Sequence, residues 1–273
     1  MGIVGAADGR VGKLFENSAM NILIVTAITN AYDDFRPPDW QFYLPGHTVR
    51  QVVFTDSTDS SFLKEAEEWE VYCIQQLAKF GVPLDSSELA NIATDRLPKL
   101  FIDIVIKAFG ADAGMWMDAN IRMINLDALC MLEQLAPGVP EEIFFTHSTR
   151  KDVLQEVIAI CRKRKVGVRR ALELLLLVFR ETALRKRCGQ LYEVPLTQNG
   201  MFVVALGSST NESKLMSCWR HAHKAYGPRD QRSLFFACLM ALEAGIRPTY
   251  WNSNHVNLTD GTLFVRARHN PKK

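Results

Sequence analysis

Met115-Trp-Met-Asp118-Ala-Asn120-Ile-Arg122 places a carboxylate and a carboxamide two residues apart at the end of a short apolar run. Residues two apart in an extended chain point the same way, so both oxygens could face one ion. Hard divalent cations such as Mg²⁺ or Mn²⁺ take oxygen ligands, often one or two carboxylates together with substrate phosphates. A plainer alternative stays open, a strand-ending turn in which Asp118 and Asn120 serve their own backbone. His255, in Trp251-Asn-Ser-Asn-His255, could complete such a metal site or lie in a solvent-exposed loop. Asp230-Gln231 supplies a further carboxylate just ahead of Leu234-Phe-Phe. It could act as a base or bind hydroxyls, and equally could cap the helix that follows.

His147 and Arg150 follow an apolar segment and fit either ligand contact or capping. His221 and His223, two apart on a helix, fall on different faces and read as surface residues. The chain has no GxSxG elbow, no HExxH pair and no P-loop, which weakens a hydrolase reading. The six cysteines are scattered without a CxxC pair, against a zinc knuckle and against a disulfide framework.

Elements that would position these residues are legible in the apolar patterning. Asn21–Ile28, Val49–Thr55, Gly114–Asp118, Glu142–Thr146, Gly200–Leu206 and Arg247–Trp251 read as strands. Helices are expected over Ser61–Phe80, with Phe62, Ala66, Trp69, Cys73 and Leu77 on one face and Gly81 ending it. Further helices fit Ser87–Ala93, Leu97–Phe109 with Pro98 in its first turn, Leu126–Leu135, 150–165, 168–187, Glu212–Tyr226 and Arg229–Ala244. Strands alternating with helices predict an α/β fold, a mainly parallel central sheet flanked by helices. In such sheets ligands bind at the C-terminal ends of the strands, which is where Asp118 falls.

At 273 residues, with 48 % hydrophobic and 23 % charged residues, the chain is long enough for a large core. Residues 1–20 read as a leader and 21–273 as one domain. No run approaches the roughly 20 apolar residues of a membrane span, and no signal peptide is evident, so a cytoplasmic protein is expected. Charge is uneven: residues 1–149 hold 10 Lys/Arg against 21 Asp/Glu, and residues 150–273 hold 22 against 9. Within 150–187 there are 12 basic and 4 acidic residues, including Arg162-Lys-Arg-Lys165, in what reads as a basic helical insertion. That run is either a solvated helical face or a surface for a phosphate-rich polymer such as nucleic acid.

Several segments together resemble one family. Arg96-Leu-Pro-Lys99 followed by Met115-Trp-Met-Asp-Ala-Asn-Ile-Arg-Met123 is similar to the core of a glycosyltransferase-like family once catalogued as a domain of unknown function. Its members occur in bacteria and plants, including plant proteins linked to mucilage and wall polysaccharides. Val25-Thr-Ala-Ile-Thr-Asn-Ala-Tyr-Asp33-Asp34, Phe54-Thr-Asp56, Phe145-Thr-His147-Ser-Thr-Arg150, Thr197-Gln-Asn199-Gly200 and Arg229-Asp230-Gln231-Arg-Ser233 resemble its other segments in the same order. Gly207-Ser-Ser-Thr stands where that family often carries an Arg-rich motif. The resemblance implies a GT-A-type glycosyltransferase, a Rossmann-type sandwich using Mn²⁺ or Mg²⁺ and a nucleotide-diphosphate sugar as donor. It implies Thr26, Ala27, Tyr32 and Asp56 at the nucleotide, with Arg96, Lys99, Asn199 and Gly200 also on the donor. Asp118, Asn120 and His255 would hold the metal, Asp230 and Gln231 would stand beside the transferred sugar, and His147 and Arg150 would touch sugar or acceptor. The acceptor would be a glycan, or a nucleic acid carrying hydroxylated bases. The alternative is a non-catalytic nucleic-acid-binding protein that uses 150–187.

Overall fold

The computed structural model describes residues 19–29, 44, 46–56, 66, 68–84, 96–123, 132, 135, 138–147, 150–164, 168–187, 194–208, 212–226, 230–251 and 264–266. Tyr32, His255 and the helices expected over Ser87–Ala93 and Leu126–Leu135 lie wholly or largely outside these residues. Among the described residues no helix is long and apolar enough to cross a membrane.

The elements run β1 (Asn21–Ile28), β2 (Thr48–Thr55), β3 (Glu70–Cys73), a 3-10 helix (Ile74–Phe80), α1 (Leu97–Leu100), α2 (Ile102–Ala108), β4 (Ala113–Met117), β5 (Ile121–Met123) and β6 (Glu141–Thr146). They continue with α3 (Val153–Arg164), α4 (Val168–Arg187), β7 (Thr197–Ala205), α5 (Lys214–Tyr226), α6 (Asp230–Glu243), β8 (Thr249–Trp251) and β9 (Phe264–Arg266). Seven strands form one sheet in the order β3-β2-β1-β4-β7-β6-β8, and β5 pairs with β9 in a second, two-stranded sheet. All neighbours in the large sheet are parallel except at β7, which runs against both β4 and β6. This is the expected α/β architecture, a mainly parallel sheet flanked by helices.

β1 and β4 occupy the middle because their sequences tolerate burial on both faces. Leu23, Val25 and Ala27 join one apolar cluster with residues of all six described α-helices. Ile22, Ile24 and Ile28 alternate into a second cluster, with Leu44, Ala66, Trp69, Leu132 and Leu135. Each such aliphatic side chain contributes about 1.5–3 kcal/mol by leaving water. Gly114 lets α2 lie close on β4, since a Cβ there would stand 2.7 Å from Ile106 Cδ1 and 3.3 Å from the Leu23 carbonyl oxygen.

The segment before Gly81 differs from the expected helix. Glu70–Cys73 extends the sheet beside β2, and among the described residues of the segment Ile74–Phe80 forms a 3-10 helix. Trp69 and Leu77 are buried as the helical spacing required, but Cys73 is exposed. Strand pairing beside β2 overrides the 3.6-residue period there. Gly81 does terminate the segment, at φ 90 in the left-handed region. The helix expected over Leu97–Phe109 is interrupted at Phe101, where φ −115 and ψ 26 separate α1 from α2.

Ser213 opens α5 by accepting the Met216 N–H at 3.0 Å, while its hydroxyl donates to Glu142 Oε1 at 2.5 Å. Arg220, about two turns along, forks onto Asp103 at 2.8 and 3.3 Å and binds α5 to α2.

Candidate active site at the C-terminal edge of the sheet

The parallel strands all end on one edge, and because β7 is reversed, its first residues lie there too. The β6–β7 pairing jumps from Phe144–Phe202 to Phe145–Gln198, so Asn199, Gly200 and Met201 have no opposite residue on β6. β4 keeps its register, with Met117 opposite Met201 and the Asp118 N–H donating to the Gly200 carbonyl at 2.7 Å. This bulge brings Asn199 and Gly200 against the end of β4, as bulges beside active sites commonly do. No feature of the linear sequence announces it.

At Asp118 the chain leaves the sheet in a turn closed by the Ile121 N–H on the Asp118 carbonyl at 2.8 Å. The extended geometry that would align Asp118 with Asn120 therefore ends at Met117. Asp118 is partly exposed, at 27 %, whereas Asn120 is buried at 2 %. The Asp118 carboxylate engages neighbouring side chains: Oδ1 accepts the Trp116 indole N–H at 2.8 Å and the Lys99 ammonium at 3.0 Å. Trp116 and Asp118 share a face of the strand by alternation, so the indole is placed to orient the carboxylate.

Lys99 connects this strand end to a helix. Its side chain is 5 % exposed, and Nζ stands 3.0 Å from Asp118 Oδ1, 3.1 Å from Asp230 Oδ2 and 5.5 Å from the centre of the Trp116 ring. Burial alone would push the ammonium toward neutrality, but Asp118 and Asp230 outweigh it and hold its pKa above the usual lysine value. Asp230 is the first residue of α6 and also faces Arg96, whose Nε lies 3.4 Å from Oδ1. Burial works to raise its pKa, and Lys99 followed by Arg96 brings the net value below the usual aspartate range. The result is an ionised carboxylate held by two cations at a helix N-terminus, where the helix dipole also favours it.

Behind Asp230 lies a residue that the surface reading of the helix missed. His221 is exposed, but His223 is 3 % exposed. The Ser233 hydroxyl donates to the Asp230 carbonyl at 3.2 Å and accepts the Trp219 indole N–H at 2.9 Å. Ser233 Oγ also lies 3.3 Å from His223 Nδ1, and the other ring nitrogen, Nε2, is buried without a hydrogen-bond partner. Burial chiefly, with Arg96, Arg232 and Lys99 nearby, lowers the His223 pKa against the opposing effect of Asp230. The burial of Trp219 and Ala222 on the same helix is the sequence signal that marks His223 as inward-facing, four residues after Trp219.

The other expected residues distribute as follows. Thr26 and Ala27 end β1 beside the mouth, with side chains 1 % and 8 % exposed, and Thr26 Oγ1 is buried without a hydrogen-bond partner. Asp56 is exposed just after β2. Asn199 is buried, its Oδ1 accepting the Thr197 hydroxyl at 2.6 Å. Gln231 is half-buried next to Asp230. His147 reaches the same edge, its backbone N–H on the Leu196 carbonyl at 2.6 Å and its Nδ1 accepting the Arg150 N–H at 3.2 Å. The Arg150 guanidinium pairs with the fully buried Glu156 on α3, an anchoring contact.

A divalent cation asks for hard oxygens with room beside them. Asp118 Oδ2 lies next to Gly200, where an added Cβ would stand 3.2 Å away, so the glycine keeps this oxygen clear. The Asp118 carboxylate fits that chemistry, and Asn120, 2 % exposed beyond the turn, offers an amide oxygen that the strand does not align with it. No set of three His, Cys, Asp or Glu side chains joins them among the described residues.

No protein-family model and no curated protein matches the sequence. Solved structures do match the fold. Mouse xyloside xylosyltransferase 1, in its apo form, aligns with a TM-score of 0.50 and 10 % identity over 86 % of this chain and 85 % of that one. A galactosyltransferase, LgtC, in complex with donor and acceptor sugar analogues, aligns at TM-score 0.39 and 12 % identity over 88 % of this chain and 79 % of that one. The likeness to the xylosyltransferase is one of architecture, and with the strand order and the reversed β7 it makes this chain's fold that of a GT-A-type glycosyltransferase.

Proposed function

We propose that the protein is a metal-dependent glycosyltransferase that moves a sugar from a nucleotide-diphosphate donor to a glycan acceptor. The observation that carries this reading is the Lys99 ammonium set between Asp118 and Asp230 at the C-terminal edge of a GT-A-type sheet. Such an edge is where α/β folds bind nucleotides.

Asp118 and Asn120 would hold Mn²⁺ or Mg²⁺, which supplies neutralisation of charge building on the departing diphosphate. Trp116 and Lys99 fix the Asp118 carboxylate from behind, leaving Oδ2 beside Gly200 for the ion. Arg96, at the same rim, is placed to attract the diphosphate. Asp230, kept ionised by Lys99 and Arg96, presents a carboxylate that binds sugar hydroxyls or stabilises positive charge at the reacting carbon. Gln231 stands next to it for the same sugar. Thr26, Ala27 and Asp56 border the adjoining end of β1 and β2, where the nucleoside would lie. His147, at the end of β6 on the same edge, would touch the acceptor.

The test is a melting experiment with nucleoside diphosphates and Mn²⁺. Binding at about 100 times Kd adds about 2.7 kcal/mol, a rise of about 5–10 °C in a chain of this size. Asp118→Ala should abolish the rise. A panel of nucleotide sugars, followed by mass spectrometry for slow donor hydrolysis, would identify the donor. No shift and no hydrolysis with any common donor would sink the reading.

A further inference from the structure

Seven large apolar side chains among the described residues are 41–72 % exposed, and six of them lie on α3 and α4. On α4, Leu172 (57 %), Leu175 (45 %), Leu176 (58 %) and Phe179 (72 %) follow the three- and four-residue spacing of one helical face. The inward face of the same helix is Leu177, Glu181 and Leu184. At 100° per residue the two stripes are centred on opposite sides of the helix. The core therefore does not use the outer leucines and Phe179, and on the neighbouring α3 Leu154 and Ile158 are exposed as well. Monomeric proteins rarely leave so contiguous an apolar surface without an occupant.

Charge in the same segment is sorted by depth. Glu156 and Glu181 are buried, paired with Arg150 and Arg185, and Asp152 and Glu173 are half-buried. Lys151, Arg162, Arg180, Lys186 and Arg187 are exposed. On α4 itself, Arg180, Lys186 and Arg187 flank the apolar stripe by helical spacing, Arg187 also facing Glu243 of α6 at 3.7 Å, and no described acid of α3 or α4 is fully exposed.

We propose that this face docks on an anionic lipid surface, with Phe179 and the α4 leucines in the headgroup–acyl boundary and the flanking cations on lipid phosphates. Each other occupant satisfies only half of the surface. A nucleic acid would neutralise the cations and leave Phe179 and the leucines in water. A second copy of the chain would cover the leucines and set like charges against each other. An anionic bilayer takes both, and the helices lie on it without crossing it. This inference stands independently of the proposed glycosyl transfer.

The experiment is co-sedimentation of the full chain with phosphatidylcholine vesicles, with and without phosphatidylglycerol, at low and high salt. Binding is expected only with phosphatidylglycerol, weaker at high salt, and lowered about tenfold or more by Leu176→Ser with Phe179→Ser. Lys186→Glu with Arg187→Glu should lower it as well. Because a changed variant could fold less well, Phe179→Trp provides a second reading: its emission should shift to the blue on adding anionic vesicles. Failure to bind phosphatidylglycerol vesicles at low salt overturns the proposal, as does binding indifferent to the Leu176/Phe179 pair. DNA binding without vesicle binding, or a lipid-free dimer dispersed by Phe179→Ser, would assign the face to one of the other occupants and equally overturn it.

Discussion

Lys99 Nζ stands 3.1 Å from Asp230 Oδ2, tying the short helix before β4 to the first residue of α6. Removing that ammonium would leave Asp230 buried with Arg96 alone and would release Asp118. Lys99→Met should destabilise the protein by about 3 kcal/mol, the lower end for a broken buried pair, since Asp118 keeps some water. Chemical denaturation measures this. Asp230 has a depressed pKa, so its contribution is present above the ordinary aspartate value of 3.8 and is lost as pH falls through the lower folded value. Lys99 is raised, so its contribution is present below 10.5 and is lost as pH rises through the higher folded value.

Gly200→Ala tests the space beside Asp118. The new Cβ would meet Ile121 Cδ1 at 2.7 Å and Asp118 Oδ2 at 3.2 Å. The isoleucine tip can rotate away, so the fold should lose only about 1–2 kcal/mol. The Mn²⁺-dependent melting shift should largely disappear. Retention of the full shift would place the ion elsewhere.

Glu142 is buried at the start of β6, and desolvation chiefly raises its pKa, Asp103 adding to the effect and the Ser213 hydroxyl opposing it. A raised carboxyl pKa means that the folded state holds the proton more tightly, so stability falls as pH rises from 4.5 through the folded value. Glu142→Gln keeps an acceptor for Ser213 and removes the charge. Its Tm should exceed that of the parent near pH 7.5, with the difference vanishing at about pH 4.

His223 has the opposite dependence. Its pKa is lowered, mainly by burial, so the unfolded chain takes up a proton first and stability drops as pH falls below 6.5 toward the folded value. His223→Asn preserves a donor toward Ser233. Its loss of Tm between about pH 7.5 and about pH 5.5 should be smaller than the parent's. Equal slopes would show that His223 is not the group responsible.

Much of the sheet was legible because central parallel strands must be apolar on both faces, as Asn21–Ile28 and Ala113–Met117 are. The helical reading of Ser61–Phe80 went astray because Trp69 and Leu77 satisfy a 3.6-residue period while Glu70–Cys73 pairs with β2, a long-range contact that periodicity does not encode. Asp118 and Asp230 stand out by type and setting, and Lys99 only through the family resemblance. Their junction does not, since it depends on the turn at Asp118 and on the first turn of α6 arriving at the same edge. The reading of His223 as a surface residue failed for a related reason. Two histidines on different faces of a helix say nothing about which face meets the neighbouring helix, and α5 turns the His223 side toward α6.

The strand order β3-β2-β1-β4-β7-β6-β8 also governs when the site can exist. β4 pairs with β1 and with β7, and β7 with β6, so the meeting of Asp118, Gly200 and Asp230 depends on pairings between residues far apart in the chain. Loop closure over such sequence distances is slow, so these contacts are expected among the later ones to form. The ligand response proposed for this edge should therefore return on refolding no earlier than the sheet itself.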